Sequence, residues 1–271
     1  MNKTVPMSDV LRPIITLLTD FGVGSPYVAQ MKGVILSLNP HAVLIDITHA
    51  IGPQDIVAGA WALLDVAESF PKGSIHVAVV DPGVGSERKI VYAEIAGRHY
   101  IAPDNGLLSC LAARTSPSRI VALTEDRFWQ PRVSATFHGR DIMAPVAARL
   151  SLGLDASQLG VPRQRLECLP EPEVRILPNK IEGQVRSIDS FGNLVTDITS
   201  DMLIEVPTDE RAQIHCDEHQ TQGIFRTYSD QPEMTLLALV GSSGFLELAI
   251  VGDSAAAMLG VRVGTPVKIQ W

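Results

Sequence analysis

Over the first 160 residues, short β-branched runs alternate with stretches whose apolar residues recur at helical spacing. Ile14–Leu18, Val43–Ile47, Ile75–Val80, Ile90–Ile95, His99–Ala102 and Arg119–Leu123 read as strands. Between them, Val28, Met31, Ile35 and Leu38 line one helix face, closed by Asn39-Pro40. Ile56, Ala60, Leu63, Leu64 and Ala67 line a second, with Pro53 suited to its entry. Pro103-Asp104-Asn105-Gly106 can cap a third helix bearing Leu107, Leu108 and Leu111. A fourth carries Ile142, Met143, Val146 and Leu150, with Pro145 in its first turn or kinking it and Gly153 as its end signal. Such alternation predicts an α/β domain with a mainly parallel sheet over residues 11–165.

The pattern then changes. Residues 166–178, with Leu169-Pro170-Glu171-Pro172-Glu173 at their centre, read as a linker. Residues 179–271 are nearly all short strand candidates: Glu182–Ile188, Leu194–Ile198, Ile214–Asp217, Gly223–Tyr228, Thr235–Val240, Leu246–Val251 and Val267–Gln270. A smaller all-β, barrel-like domain is expected there.

Candidate chemistry collects where strands end. In Val77–Lys89 (VAVVDPGVGSERK), Pro82 cannot continue a central strand, so Asp81 stands at its carboxyl end with Arg88 on the following loop. Ligands bind beyond such ends in open α/β sheets. Asp20 follows the first strand in the same way, ahead of Phe21, Gly22 and Gly24. These two glycines lack the third of a dinucleotide fingerprint, because Tyr27 occupies its place. Each candidate also has a plainer reading. Asp20, Asp189 and Asn193 suit turns, Asn105 suits a helix cap, His138 a structural histidine, and Ser242 and Ser243 a polar hairpin loop.

Composition narrows the classes. A net charge of −8 without a Lys/Arg cluster argues against nucleic acid or a membrane surface. Cys110, Cys168 and Cys216 form neither a metal spacing nor a disulfide framework, so each reads as a reduced residue with a packing role, as in a cytoplasmic protein. The scattered histidines make no metal site. The start, MNKTVPMSDVLRP, has no apolar core of signal-peptide length, and no run of roughly 18 apolar residues offers a membrane span.

Five segments change the odds when taken together and in order: LLTDFG (17–22), DPGVGSxR (81–88), APDNGLL (102–108), TFHGRDIMAPVAA (136–148) and IDxFGNLVT (188–196). From about residue 14 to the C-terminus the chain resembles the S-adenosylmethionine hydroxide adenosyltransferases, or S-adenosylmethionine hydrolases, whose halogenating relatives are fluorinase and chlorinase. The resemblance implies a cofactor-free enzyme that turns S-adenosylmethionine and water into adenosine and L-methionine. It also implies a homotrimer, with each site between the N-terminal domain of one subunit and the C-terminal domain of its neighbour.

The family's Asp-Arg-His set falls on Asp81, Arg88 and His138. Halogenating relatives lack that set, which makes halogenation the lesser alternative, although Gly139 beside His138 would leave room for a halide. Further resemblance-based expectations place Asp20 on the ribose hydroxyls, with Phe21 and Asn105 nearby. Asp189 and Asn193 are expected at the amino and carboxylate ends of the methionine, Phe191 on adenine, and Ser242, Ser243 and Glu247 on adenine or methionine. Gln54 stands where fluorinase has a ligand-covering Trp, so stacking there is lost. The leaving group is a neutral thioether that needs no acid. The task is to supply a hydroxide-like nucleophile, which an Asp, a His and an Arg around one water could do. A non-catalytic S-adenosylmethionine or adenosine binding protein is the alternative from another class.

Overall fold

The computed structural model describes residues 12–170 and 174–271, so the extreme N-terminus and the middle of the expected linker lie outside it. The chain divides into two compact units, the first ending at Leu169 and the second beginning at Pro170. The first contains β1 (Ile14–Thr19), α1 (Pro26–Leu38), β2 (Val43–Thr48), α2 (Ile56–Ala67), β3 (Ile75–Val79), β4 (Ile90–Ile95), β5 (Arg98–Pro103), α3 (Ser109–Arg114), β6 (Arg119–Leu123), α4 (Ala144–Ser151) and β7 (Gly160–Pro162). Its sheet runs β2-β1-β3-β5-β4-β6-β7. The first four strands are mutually parallel, and the last three pair antiparallel.

Helices cover both faces. Val28, Met31 and Ile35 of α1 and Val146 of α4 pack with Ile15, Leu17, Val77 and Val79 in one core. On the opposite face α2 comes close to the sheet at Gly59, where a Cβ would lie 2.8 Å from Leu107 Cδ1 and 3.1 Å from Val80 Cγ2. Local signals start and stop these helices. Ser25 caps α1 ahead of Pro26, and Asp55 Oδ1 accepts the Ala58 N–H to cap α2. The single helix expected to carry Ile142, Met143, Val146 and Leu150 is α4 only from Ala144, and its beginning is instead a π-helix, Gly139–Met143. Pro145 has no N–H to give the Asp141 carbonyl, which accepts from the Gln130 N–H at 2.8 Å instead.

The same sheet buries a histidine. His76 on β3 is 0% exposed, bonds Thr16 Oγ1 at 2.8 Å and stacks on Tyr100 with centroids 4.9 Å apart. Burial, then the Arg98 charge, pushes its pKa down from 6.5 to about 4. Between those two values the unfolded chain binds the extra proton, so stability falls as pH drops from 6.5 towards 4. Denaturant unfolding at pH 7.5 and pH 5 should show about 2 kcal/mol of loss from this group. His76→Gln should remove that part of the pH slope. An unchanged slope would mean that His76 is not the source.

The second unit contains β8 (Arg175–Leu177), β9 (Lys180–Ile188), β10 (Leu194–Thr199), β11 (Gln213–Cys216), β12 (His219–Gln222), β13 (Ile224–Phe225), β14 (Leu236–Val240), β15 (Phe245–Ile250), α5 (Ala255–Leu259) and β16 (Pro266–Gln270). Its sheet, β12-β11-β16-β9-β10-β15-β14-β13, curls into a nearly closed barrel around Ile181, Val185, Leu194, Ile198, Leu246 and Ile269. Thr221 Oγ1 on β12 donates to the Leu236 carbonyl on β14, across the seam. Two expectations are corrected. Gly223–Tyr228 is not one strand, because Gly223 at φ +79° breaks it and Thr227 and Asp230 form a capping box for a 3-10 turn at Tyr228–Asp230. Cys168 is exposed rather than packed, whereas Cys110 and Cys216 are buried.

Candidate active site

Parallel pairing aligns the carboxyl ends of β1, β3 and β5 along one edge of the first unit. Thr19 is in register with Val79, which sets Asp20 beside Val80 and one residue from Asp81. Asn105 follows β5. Its Nδ2 donates to the Val80 carbonyl at 2.9 Å and its Oδ1 accepts the Leu107 N–H at 3.2 Å. Asn105 therefore splints the strand end that carries Asp81; it does not cap α3 as expected, because that helix starts at Ser109 with Leu108 as its N-cap and no side-chain cap, and the bond to the Leu107 N–H belongs to the turn before it.

The loop after β3 folds back on itself through successive turns. Val84 donates to the Asp81 carbonyl at 3.2 Å and Ser86 to the Gly83 carbonyl at 3.0 Å. Gly85, at φ +81°, permits an approach in which a Cβ would sit 2.5 Å from the Ala135 carbonyl oxygen. The result returns Arg88 to Asp81. Arg88 Nε bonds the two carboxylate oxygens at 2.9 and 3.0 Å, and Nη2 also bonds Oδ2. The same Nη2 reaches His138 Nδ1 at 2.9 Å. Their side chains are nearly enclosed, with 5% exposure for Asp81 and 11% for Arg88.

This geometry fixes the imidazole. Arg can only donate, so Nδ1 of His138 must accept and the ring proton sits on Nε2. Burial, reinforced by the Arg88 charge, lowers the His138 pKa, so the ring is neutral near pH 7. His138 leads into the π-helix whose second and third residues, Arg140 and Asp141, anchor the preceding loop. Asp141 Oδ1 bonds Arg140 Nε at 2.6 Å, and its Oδ2 bonds Arg140 Nη2 at 2.9 Å and the Ser134 N–H at 2.8 Å. Gly139 is buried, and a Cβ there would touch Met31 and Val79 at 3.4 Å.

Asp20 and Phe21 border the same edge. Asp20 Oδ2 accepts the backbone N–H of Gln54 at 2.8 Å. That N–H is aimed by a Gly52-Pro53-Gln54-Asp55 turn in which Gln54 takes φ +66° and Asp55 donates to the Gly52 carbonyl at 3.0 Å. Phe21 meets Tyr27 and Phe137 edge-on, with centroids 5.8 and 5.7 Å away.

In the second unit Asp189 is held by its own turn. Its Oδ1 accepts the N–H groups of Phe191 and Asn193 at 2.9 and 2.8 Å, and its Oδ2 accepts Asn193 Nδ2 at 2.9 Å. Phe191 is 79% exposed. Phe191 and Asn193 line a cleft of about 480 Å³ together with Tyr228, Asp253 and Ser254. Glu247 is buried and accepts from Tyr228 Oη at 2.5 Å, and burial raises its pKa. Ser242 and Ser243 form the exposed turn between β14 and β15 and do not line this cleft. Sequence reasoning passed over Tyr228, Asp253 and Ser254. It also passed over Asp141, although the TFHGRD segment contains it. Among the described residues no group of three His, Cys, Asp or Glu is arranged for a metal, and no helix is long and apolar enough to cross a membrane.

Comparison with known proteins identifies the family. Residues 15–160 match the SAM hydroxide adenosyltransferase N-terminal domain, and residues 183–268 match the C-terminal domain of that family. The (R)-S-adenosyl-L-methionine hydrolase of Thermus thermophilus is 37% identical, over 96% of this chain and 100% of its own. The fluorinase of Nocardia brasiliensis is more distant, at 26% identity over 96% and 97% of the two chains. A crystal structure of a conserved protein from Thermotoga maritima superposes with a TM-score of 0.91 at 32% identity, covering 95% of this chain and 100% of that one.

Proposed function

The chain belongs to the SAM hydroxide adenosyltransferase family, and from that premise we propose how it hydrolyses S-adenosyl-L-methionine to adenosine and L-methionine. The observation that carries the mechanism is the joined Asp81-Arg88-His138 set. A water oxygen attacks C5′, the C5′–S bond breaks with its electron pair going to sulfur, and one proton is released. Methionine leaves as a neutral thioether, so neither an acid nor a cofactor is needed.

Hydrogen bonding divides the roles. The Nε2–H of His138 and the Arg88 guanidinium are donors, suited to holding the oxygen as it gains hydroxide character. With His138 Nδ1 filled by Arg88, the unoccupied lone pairs of Asp81 are the better proton acceptor. Asp20 takes the vicinal ribose hydroxyls, and the Gln54 N–H leaves its Oδ1 and remaining lone pairs for them. On the second unit, Asp189, Phe191 and Asn193 receive the methionine and adenine ends, and Glu247 acts through Tyr228. The subunits act as a homotrimer in the cytoplasm, each site using the N-terminal domain of one subunit and the C-terminal domain of the next. The acidic balance of −8 and the absence of a basic cluster accord with a small-molecule substrate.

The relative named an (R)-S-adenosyl-L-methionine hydrolase directs the choice of sulfonium epimer to (R). Each resolved epimer should be incubated with the protein in ¹⁸O-labelled water, with and without chloride, and the products weighed by mass spectrometry. Adenosine labelled at its 5′ oxygen, from the (R) epimer and independent of chloride, is the expected result. A 5′-chloro product would move the protein to the halogenating branch. Bound ligand without any product would make it a binding protein.

A further inference from the structure

At the carboxyl end of β2 lies a line of side chains that the proposed chemistry does not use. Lys32 Nζ donates to Asp46 Oδ2 at 2.6 Å, and the other oxygen of Asp46 faces His49 Nε2 at 3.0 Å. His49 Nδ1 meets Thr19 Oγ1 at 3.0 Å, and Thr19 Oγ1 accepts the Phe21 N–H at 3.2 Å. A backbone bond runs parallel, from the Gly22 N–H to the His49 carbonyl at 2.9 Å. Side-chain exposure falls along the line, from 41% at Asp46 to 12% at His49, and Thr19 as a residue is 0% exposed.

Asp46 Oδ1 comes within 3.0 Å of His49 Nε2 without accepting a hydrogen bond from it. The bonded links are those of Thr19 Oγ1, to His49 Nδ1 on one side and from the Phe21 N–H on the other. The order acid, imidazole, hydroxyl is that of a nucleophile triad. Here it cannot be one, because the hydroxyl is wholly buried and already bonded on both sides. What the line reaches is the turn at residues 20–22, which carries Asp20 and sets Phe21 against Phe137, the neighbour of His138.

We propose that His49 is a positioning residue for the reaction: through Thr19 it fixes the turn bearing Asp20 and Phe21, and so governs how firmly the nucleoside is held rather than how fast the C5′–S bond breaks. This rests on the reading of Asp20 as the ribose acceptor.

The test is steady-state kinetics on the (R) epimer together with adenosine binding by calorimetry. The proteins compared are wild type, His49→Ala, Thr19→Val, Thr19→Ser, and Asp20→Ala as the reference for a lost ribose contact. The expected result for His49→Ala and Thr19→Val is a KM and an adenosine Kd raised about tenfold, with kcat within about threefold of wild type. Thr19→Ser, which keeps the hydroxyl, should restore both constants. The double variant should be no worse than the poorer single, because both break one chain of bonds. If His49→Ala does not fold, the Thr19→Val and Thr19→Ser pair reads the same link.

A purely structural role would lower the melting temperature and leave KM and Kd of the folded protein unchanged, and that outcome overturns the proposal. A fall in kcat at constant KM overturns it too. If Asp20→Ala weakens binding and the other variants do not, only the positioning role fails. Wild-type protein that neither turns over nor binds adenosine overturns the activity reading, and the proposal with it.

Discussion

Asp81→Asn will lower kcat about a thousandfold, equivalent to roughly 4 kcal/mol of transition-state stabilisation, while adenosine affinity stays within about threefold. The substitution keeps the size of the side chain and removes its charge and its basicity. Arg88 is 11% exposed and finds its anionic partner in Asp81, so its guanidinium also loses the fork that aims it at the attacking oxygen. In the proposed mechanism the ribose contact belongs to Asp20 and not to Asp81, so binding and turnover should separate. Single-turnover rates with the (R) epimer and calorimetry with adenosine provide the two readings. A variant that keeps kcat within tenfold of wild type would take Asp81 out of the proton path.

Asp141→Ala is expected to have the largest effect on stability, about 3 kcal/mol, or roughly 6–12 °C in melting temperature. The Asp141 side chain is 3% exposed and satisfies Arg140 and the Ser134 N–H at once. Arg140 is 31% exposed and can turn to solvent, which keeps the loss at the low end for a broken ion pair. Burial pushes the Asp141 pKa up, but the Arg140 and Ser134 hydrogen bonds outweigh it and hold the folded value below 3.8. The contribution is therefore present above about pH 3.8 and is lost as pH falls through the folded pKa, so the deficit of the variant should close in strong acid. A melting-temperature change of less than about 3 °C at pH 7 would show that the loop is held by something else.

The sequence disclosed most where one physical rule acted alone. β1, β3 and α1 are set by apolar periodicity and by Pro26, Asn39 and Pro40, and they fall within a residue or so of their expected ends. Asp20 and Asp81 were found because a strand must stop at a glycine- and proline-rich turn, and the parallel register then puts them side by side. Where rules compete, the reading fell short. Pro145 lies in the first turn of α4 as expected, but nothing local shows that Gln130, fifteen residues earlier, takes the freed carbonyl of Asp141 and that a π-helix precedes that turn. β12 is four polar residues that become a strand only by pairing with β11. β8 begins at Arg175, inside the expected linker, for the same reason, since it exists as a partner of β9. Asn105 and Asp189 were expected on the ligand, yet both spend hydrogen bonds on their own turns. Only coordinates reveal how a short polar side chain divides itself between backbone and solvent. His49 was legible by the strand-end rule applied to β2, as it had been to β1 and β3.

The bond from Gln54 to Asp20 is made by the main chain, and this bears on how the enzyme can diversify. Any amino acid that tolerates φ near +66° presents the same N–H to the same carboxylate oxygen, whatever side chain it carries. Proline alone lacks the donor, and β-branched residues resist the dihedral. The side chain at 54 is thereby released from the duty of holding Asp20, while remaining next to it. A mutational walk can change the chemistry displayed beside Asp20 in single steps without passing through a form in which that carboxylate is unanchored. Position 54 is thus a point of low pleiotropy.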